Sequence, residues 1–584
     1  MTMTMWLPLL LIPLLLILKN MKKSQKQKQQ QQLPPGPPKL PILGNLLQLG
    51  ELPHQSLWKL SKKYGPVMHL KLGRIPYVVV SSAETAREVL KVHDLECCGK
   101  ARLTGVGKLS YNYLDVAFAP YGDHWRQMRK LCVMELFSHK RVQSFQFIRE
   151  EEVALLVNSI SRASSSASPV DLSQKIFALS GSILFRVAFG KRFQGSHFDN
   201  HKFHELLAAA MAVGGSFTSE ECFPYVGWII DRFSGYQAKI ESVFQEVDSF
   251  LGQVIEDHLK AEGTKQEHED IVDVMLRIKR EQAQSAHEEE QLTTDHIKAV
   301  LVDLLLAGVD TSAVTVIWAM SELARNPRVM SKAQDEVRKC IGKNGSITED
   351  NIEQLQYLKM IIKETFRLHP PGPMLLPRQT ISHCKINGYD VYPETLLQVN
   401  VWAIGRDSRY WSKAEEFFPE RFIDNSVDFK GQNFELLPFG GGRRICPGIQ
   451  MGISTVELAL TNLLYHFNWK LPNGMEGGDL NMEEAIGSFH TTIWMLRLSR
   501  LVIIGDRCRS RVIELFSMKR VQSFQFIREE EVASLVNSIS QASSSASPAD
   551  LSQKIFALSG SIQFRVAFGR RFQGVIFDNH KFHE

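Results

Sequence analysis

The stretch Pro438 to Gln450, PFGGGRRICPGIQ, constrains this chain more than any other. Gly440, Gly441, Gly442 and Gly448 let the backbone turn tightly and approach a flat ligand, since glycine tolerates positive φ and carries no side chain. The one cysteine among them, Cys446, is thus presented by a loop. Arg443 and Arg444 put positive charge beside its sulfur, which favours the ionised, metal-binding form. Pro447 fixes φ where a helix begins, and the mostly apolar run Ile449 to Leu464 follows, so a helix dipole adds to that preference. A buried structural cysteine in a Gly-rich turn is the plainer alternative.

Phe439, Gly442, Arg444, Cys446 and Gly448 fit the pattern F-x-x-G-x-R-x-C-x-G position for position. In this the chain resembles the cytochrome P450 monooxygenases, most closely those of plant microsomes. The resemblance implies a mainly α fold with a small β region. It also implies haem b (iron protoporphyrin IX) ligated by Cys446, whose thiolate favours O–O cleavage.

With 584 residues the chain can bury a large core, and its 44% hydrophobic and 22% charged residues are those of a globular protein. The net charge of +5 is small and no basic block is interleaved with aromatics, so nucleic acid is not a partner suggested here. Eight cysteines without C-x-x-C spacing argue for a reducing compartment, and against a disulfide framework or zinc site.

Residues 1–18 carry no charge and are rich in Leu, Ile and Pro; Lys19, Lys22, Lys23, Lys26 and Lys28 follow at once. This predicts a membrane anchor whose basic flank keeps the body in the cytosol, rather than a cleaved signal, which would show basic residues first and a small-residue cleavage site. Residues 19–44 form a basic and polar linker and a proline-rich hinge, LPPGPPKLPILG, too dense in proline for helix. By resemblance the location is the endoplasmic reticulum membrane.

KLGRIPYVVVSS from Lys71 predicts a short β-rich run, and Gly99 to Ala119 reads as irregular; in the family the equivalent loop covers the haem. In YGDHWRQMRKL, Trp125 and Arg129 share a helical face. They match the family's W-x-x-x-R, which implies contact with a haem propionate.

Asp295 to Asn326 predicts one long, mostly apolar helix with polar residues in its middle, costly if buried without partners. Charges at Asp303 and Asp310 argue against a membrane span. Ala307 to Ser312 matches the family's oxygen-activating motif [AG]-G-x-[DE]-T-[TS], which implies proton delivery by Asp310 and Thr311. Asp303, Ala307 and Thr311 recur on one face and are expected to look at substrate.

In KETFRLHPP, Glu364 and Arg367 match the family's E-x-x-R, and Arg421 comes from FPERF. The resemblance implies a buried triad that steadies the cysteine loop. Met374 to Leu376 forms an apolar ridge, with Met374 and Leu375 expected in the pocket. Arg378 resembles a second propionate contact, joining Trp125, Arg129 and Arg444. Together these candidates suggest an apolar ligand with one polar group.

The resemblance spans 45–487 as a haem-thiolate monooxygenase domain. Residues 488–511 do not continue it plausibly, where the family makes a last strand pair. Residues 512–584 repeat 133–205 at an offset of 379 with nine differences, among them His139/Met518, Leu155/Ser534 and Leu184/Gln563. This reads as a partial duplication or a gene-model artefact and carries none of the haem motifs.

No G-x-G-x-x-G follows a strand, so electrons must come from a partner, by resemblance NADPH-cytochrome P450 reductase. The expected function is insertion of one atom of O2 into a lipophilic plant metabolite. The alternatives are a P450-fold isomerase or dehydratase that does not use O2, and a non-catalytic or misfolded haem protein.

Overall fold

The computed structural model describes residues 32–165, 170–191, 200–215, 217–260, 268–284, 291–342, 347–471, 475–486, 496–498 and 502–507. They fall in one unit, Met1–Ile341 with Ile347–Cys508; of the second, Gly342–Ser346 with Arg509–Glu584, only Gly342 is described. The expected anchor, most of the linker and the near copy 512–584 therefore lie outside the described residues.

Helix α1 (Pro53–Tyr64) opens on proline, whose missing N–H costs nothing in a first turn. The β-rich run becomes an antiparallel hairpin, β1 (Val67–Leu72) and β2 (Ile75–Val80). Its turn needs Gly73, at φ 59°, because a Cβ there would lie 2.3 Å from the Cys222 carbonyl oxygen. The stretch expected to be irregular contains a short helix, α2 (Thr104–Leu109), before three successive residues with positive φ, Tyr111, Asn112 and Tyr113. Six residues are too few to show an amphipathic period.

Helices follow in series: α3 (Asp123–Leu131), α4 (Gln146–Ser165), then after β3 (Val170–Asp171) α5 (Leu172–Phe189), α6 (Gly227–Phe233), α7 (Tyr236–Lys260), α8 (Ile271–Gln284) and α9 (Thr294–Arg325). The chain continues through α10 (Gln356–Leu368) into β4 (Arg378–Gln379), the hairpin β5 (Cys384–Ile386) and β6 (Tyr389–Val391), and β7 (Leu396–Val399). Strand order in the main sheet is β1-β2-β7-β4, with β2 and β7 parallel.

Helix α9 is the axis of the body. Thr293 Oγ1 accepts from the His296 N–H, and the His296 ring accepts in return, which fixes the start; the helix ends at Arg325, before Pro327. Its apolar sides pack on α5 and on α11 (Ile449–His466). Both α5 and α9 are long and apolar enough to cross a membrane, but two thirds of each is buried in protein, so both are core helices.

The 488–511 segment is described in part. Its residues supply β10 (Leu496–Leu498), which pairs with β9 (Glu484–Ile486), and β11 (Val502–Arg507), which pairs with β3 and with β8 (Phe467–Lys470). The short apolar run Val502 to Ile504 suffices to start a ladder whose bonds are backbone to backbone. No motif letters are required.

Candidate active site

The cysteine loop is folded by its own backbone. The Cys446 N–H donates to Phe439 O at 3.0 Å, which closes the loop. Gly442 sits at φ 66°, and a Cβ there would lie 2.2 Å from Leu90 O, so no other residue fits. Gly448 is less constrained, its nearest neighbour being Cys446 Sγ at 4.0 Å.

The electrostatics of the sulfur differ from the expectation that both adjacent arginines ionise it. Arg443 turns to Asp94, whose carboxylate also accepts from the Arg443 N–H. Arg444 turns to the carbonyls of Cys98, Val116 and Ala119. Burial pushes the Cys446 thiol up, while the Gly448 N–H and the Arg129 charge pull it down less strongly. A buried thiol of this kind ionises when a cation binds it, as iron does.

Facing the same region, α9 runs unbroken through Ala307 to Ser312. Ala307 is exposed between the buried pairs Leu304–Leu305 and Val309–Asp310, so the helix middle opens onto a cleft. Thr311 is half-buried and its hydroxyl donates to Ala307 O at 2.8 Å. On the opposite side, Ser180 of α5 donates to Val309 O at 2.6 Å, and Leu184 lies so close that a Cβ on Gly308 would meet it at 3.0 Å. The first turn of α11 also reaches α9, since a Cβ on Gly452 would stand 3.8 Å from Ser312 Oγ.

Four cations converge beside the loop: Lys100, Arg129, Arg378 and Arg444. Arg129 Nη2 donates to Ile445 O, adjacent to the cysteine, at 2.5 Å. The Arg444 guanidinium lies 4.4 Å from the Trp125 ring centroid, and the indole N–H donates to Val116 O. Burial pulls Arg444 down to about 10, although the Cys98 side chain opposes the fall; Arg378 and Arg129 repel it further. Burial likewise takes Lys100 well below the lysine range, with Arg444 and Arg378 adding to the effect. Repelling buried cations are unfavourable unless an anion joins them. A flat ligand with two carboxylates fits this donor set, so the residues present suit haem.

Arg378 is placed differently from a free propionate contact. It pairs with Asp94 at 2.7 Å and donates to Gly441 O at 2.7 Å, bracing the loop itself. Asp303 faces the loop and not an open cavity, because its Oδ2 accepts the N–H groups of Val116 and Ala117. Met374 is buried among Leu57, Met68 and Tyr77 under the sheet, while Leu375 reaches Gly440. Neither the Asp303 amide contacts nor the Met374 burial can be read from spacing. Asp94 was missed altogether, since in EVLKVHDLE it reads as an ordinary solvated helix end.

The structure brings Glu364, Arg367 and Arg421 together. Arg367 donates to Glu364 through Nε and Nη2 at 2.7 and 2.8 Å, and Arg421 Nε donates at 3.0 Å. Further Arg367 bonds run to Gly405, Ala414 and Glu416 carbonyls. The link to the cysteine loop is aromatic: Phe366, next to Arg367, meets Phe439 edge to face at 5.2 Å.

A thiolate loop beside an opened core helix, with cations gathered for a dianion, defines a haem-thiolate protein. A sequence profile described as Cytochrome P450 matches residues 34–492. Cytochrome P450 71B35 of Arabidopsis thaliana is 54% identical over 453 residues, covering 78% of this chain and 90% of the relative. Cytochrome P450 71B34 of the same plant is 53% identical over 456 residues, with the same coverages. Among solved structures, a zebra fish cytochrome P450 with abiraterone aligns at a TM-score of 0.65 and 23% identity, over 79% of this chain and 100% of that one, a likeness of fold. The chain belongs to the cytochrome P450 family. It is an oxidoreductase of the monooxygenase class, of plant metabolism, with haem as cofactor.

Proposed function

We propose that this enzyme inserts one oxygen atom from O2 into a lipophilic small molecule of plant specialised metabolism, with electrons from NADPH through NADPH-cytochrome P450 reductase. The observation that carries it is the exposure of Ala307 and half-exposure of Thr311 within an otherwise buried helix, beside the cysteine loop.

Cys446 would hold the iron, and Trp125, Arg129 and Arg444 would meet the propionates. When bound, the haem supplies activation of dioxygen. The Thr311 hydroxyl rests on Ala307 O, and turning away from it would make its proton available in the cleft. Asp310, buried next to it, is the acid that restores that proton. Ala307 and Leu375 give the ligand apolar surface, which suits a lipophilic substrate.

The same reading places the enzyme on the endoplasmic reticulum membrane, facing the cytosol. Tyr225, Trp228 and Phe233 on and beside α6 are exposed, as are Leu40, Ile42 and Leu47. Both patches adjoin the β1–β2 turn, where Gly73 N donates to Leu43 O and Arg74 N to Cys222 O. Apolar surface so concentrated suits a lipid interface.

The test uses the full chain in membranes with a plant reductase. A carbon monoxide difference spectrum of thiolate-bound haem and product carrying one labelled atom from O2 are expected, both dependent on NADPH. Product formed without O2 or NADPH would indicate a rearrangement instead, and a missing thiolate band would indicate a non-catalytic chain.

A further inference from the structure

The loop between α2 and α3 is gripped at one residue, Val116. Val116 N donates to Asp303 Oδ2 of α9 at 2.8 Å, while Val116 O accepts from Trp125 Nε1 at 3.0 Å and Arg444 Nη1 at 3.3 Å. Ala117 N donates to the same Asp303 oxygen at 3.1 Å. One residue earlier, Asp115 is 1% exposed, and its Oδ2 accepts from Phe118 N at 3.0 Å. Its other oxygen, Oδ1, is buried with no donor among the described residues. A buried carboxylate oxygen left without a donor is costly.

Asp303 is the neighbour that resolves this. Asp115 and Asp303 lie within hydrogen-bonding reach, yet two ionised carboxylates offer no proton to each other and repel. One proton between them changes the sign of the contact. We propose that Asp115 and Asp303 share a single proton and act as positioning residues, a carboxylic acid–carboxylate clasp that fixes the loop 115–119 between α9 and the arginine of the haem loop.

Asp115 holds the proton and Asp303 accepts it. Burial and the Asp303 charge both push Asp115 well above the usual carboxylate range. Asp303 is pushed up by burial only to about 6, because the Val116 and Ala117 N–H groups and the Asp115 hydrogen bond favour its ionised form. Lys100 and Arg444 are the cations facing the pair. The clasp sits one helical turn before Ala307, so it sets how closely the loop covers the cleft. Its effect on substrate choice rests on the monooxygenase reading, whereas the proton itself can be read from the folded holoprotein whatever that protein oxidises.

The test is an infrared difference spectrum of the holoprotein at neutral pH, wild type minus Asp115→Asn. The expected result is one protonated-carboxyl stretch, shifted in D2O and lost in the variant; buried acids common to both cancel. No such band means both groups are ionised and overturns the proposal. Hydrogen exchange at Val116 and Ala117 provides the second arm. Asp115→Asn still offers a donor to Asp303 and is expected to keep their protection, while Asp115→Leu raises exchange roughly tenfold or more, as loss of a charge-assisted bond does. Equal protection in Asp115→Leu and wild type overturns the positioning role. The thiolate spectrum, followed in each variant, reports whether the fold survives.

Discussion

Replacing Glu364 by Gln tests whether the buried triad holds the cysteine loop. The carboxylate accepts from Arg367 Nε and Nη2, from Arg421 Nε and from Phe418 N, all between 2.7 and 3.0 Å at their shortest. Glutamine keeps the shape and one acceptor oxygen. It turns the other oxygen into a donor facing a guanidinium, and it leaves two buried cations without an anion. Breaking a buried pair on one side costs about 3–5 kcal/mol. Arg367 retains three carbonyl acceptors, at Gly405, Ala414 and Glu416, which places the expected loss at the low end, about 3 kcal/mol. At about 1.4 kcal/mol per tenfold, that is roughly two orders of magnitude in the folded fraction. The assay is the thiolate-bound carbon monoxide band of the holoprotein followed through a urea titration. The Glu364→Gln midpoint is expected well below wild type, and Arg367→Lys also falls, because an ammonium cannot replace the two-pronged contact. A Glu364→Gln shift under about 1 kcal/mol, the size of an exposed pair, would show that the triad does not carry the loop.

Gly442→Ala is expected to abolish the thiolate band, since its Cβ would lie 2.2 Å from Leu90 O at positive φ, whereas Gly448→Ala, with 4.0 Å of clearance, should still bind haem; equal spectra for the two would refute the packing argument. Glu484 is held at about 2 despite its burial, because His54 and Gln55 donate to it. A carboxylate lowered by folding stabilises above its unfolded pKa, so wild type should lose its advantage over Glu484→Gln as pH falls from 4.5 toward 2, measured by urea midpoints. Glu457 has the opposite sign. Burial pushes it up to about 7, so its folding penalty grows as pH rises from 4.5 and levels above 7, and Glu457→Gln should be the more stable protein in mildly alkaline buffer.

The features legible in the sequence were those written as local spacing. Glu364 and Arg367 are three apart on one helix face, and the glycines of the cysteine loop declare their turns by residue type alone. What stayed hidden depends on long-range placement. Asp94 looks like a solvated residue but becomes the anion that holds Arg378 and Arg443, because the chain brings it beside residues 284 and 349 positions away. Asp303 is expected from periodicity to look at substrate, but its carboxylate meets the Val116 and Ala117 N–H groups instead, and periodicity cannot tell a substrate from a loop peptide. Strands β10 and β11 were invisible for another reason: backbone pairing tolerates many side chains, so the absence of familiar letters after Gly487 did not mean the absence of a ladder.

The copied segment allows one last prediction from the packing of its parent. Arg149 of α4 is fully buried, donating to Val142 O and pairing with Glu349. Leu184 of α5 packs on Gly308, and Ser180 bonds Val309 O. Glu349, Gly308 and Val309 all lie outside 133–205, so the copy has no counterpart of them in its own sequence: its Arg528 repeats the arginine without the glutamate, and Gln563 replaces the leucine. Leu155, by contrast, is 48% exposed, so its change to Ser534 costs little. In the parent those two positions are buried against partners that the copy's own sequence does not carry, and burying an arginine or glutamine without such partners brings no gain. The body's own ladder, meanwhile, ends at Arg507. Removing residues 512–584 is therefore expected to leave the thiolate spectrum and the urea midpoint of the haem body unchanged. Removing 496–584 should lower both, by deleting β10 and β11. If the shorter deletion alone abolished haem binding, the copy would have a structural part that its parent's packing denies it.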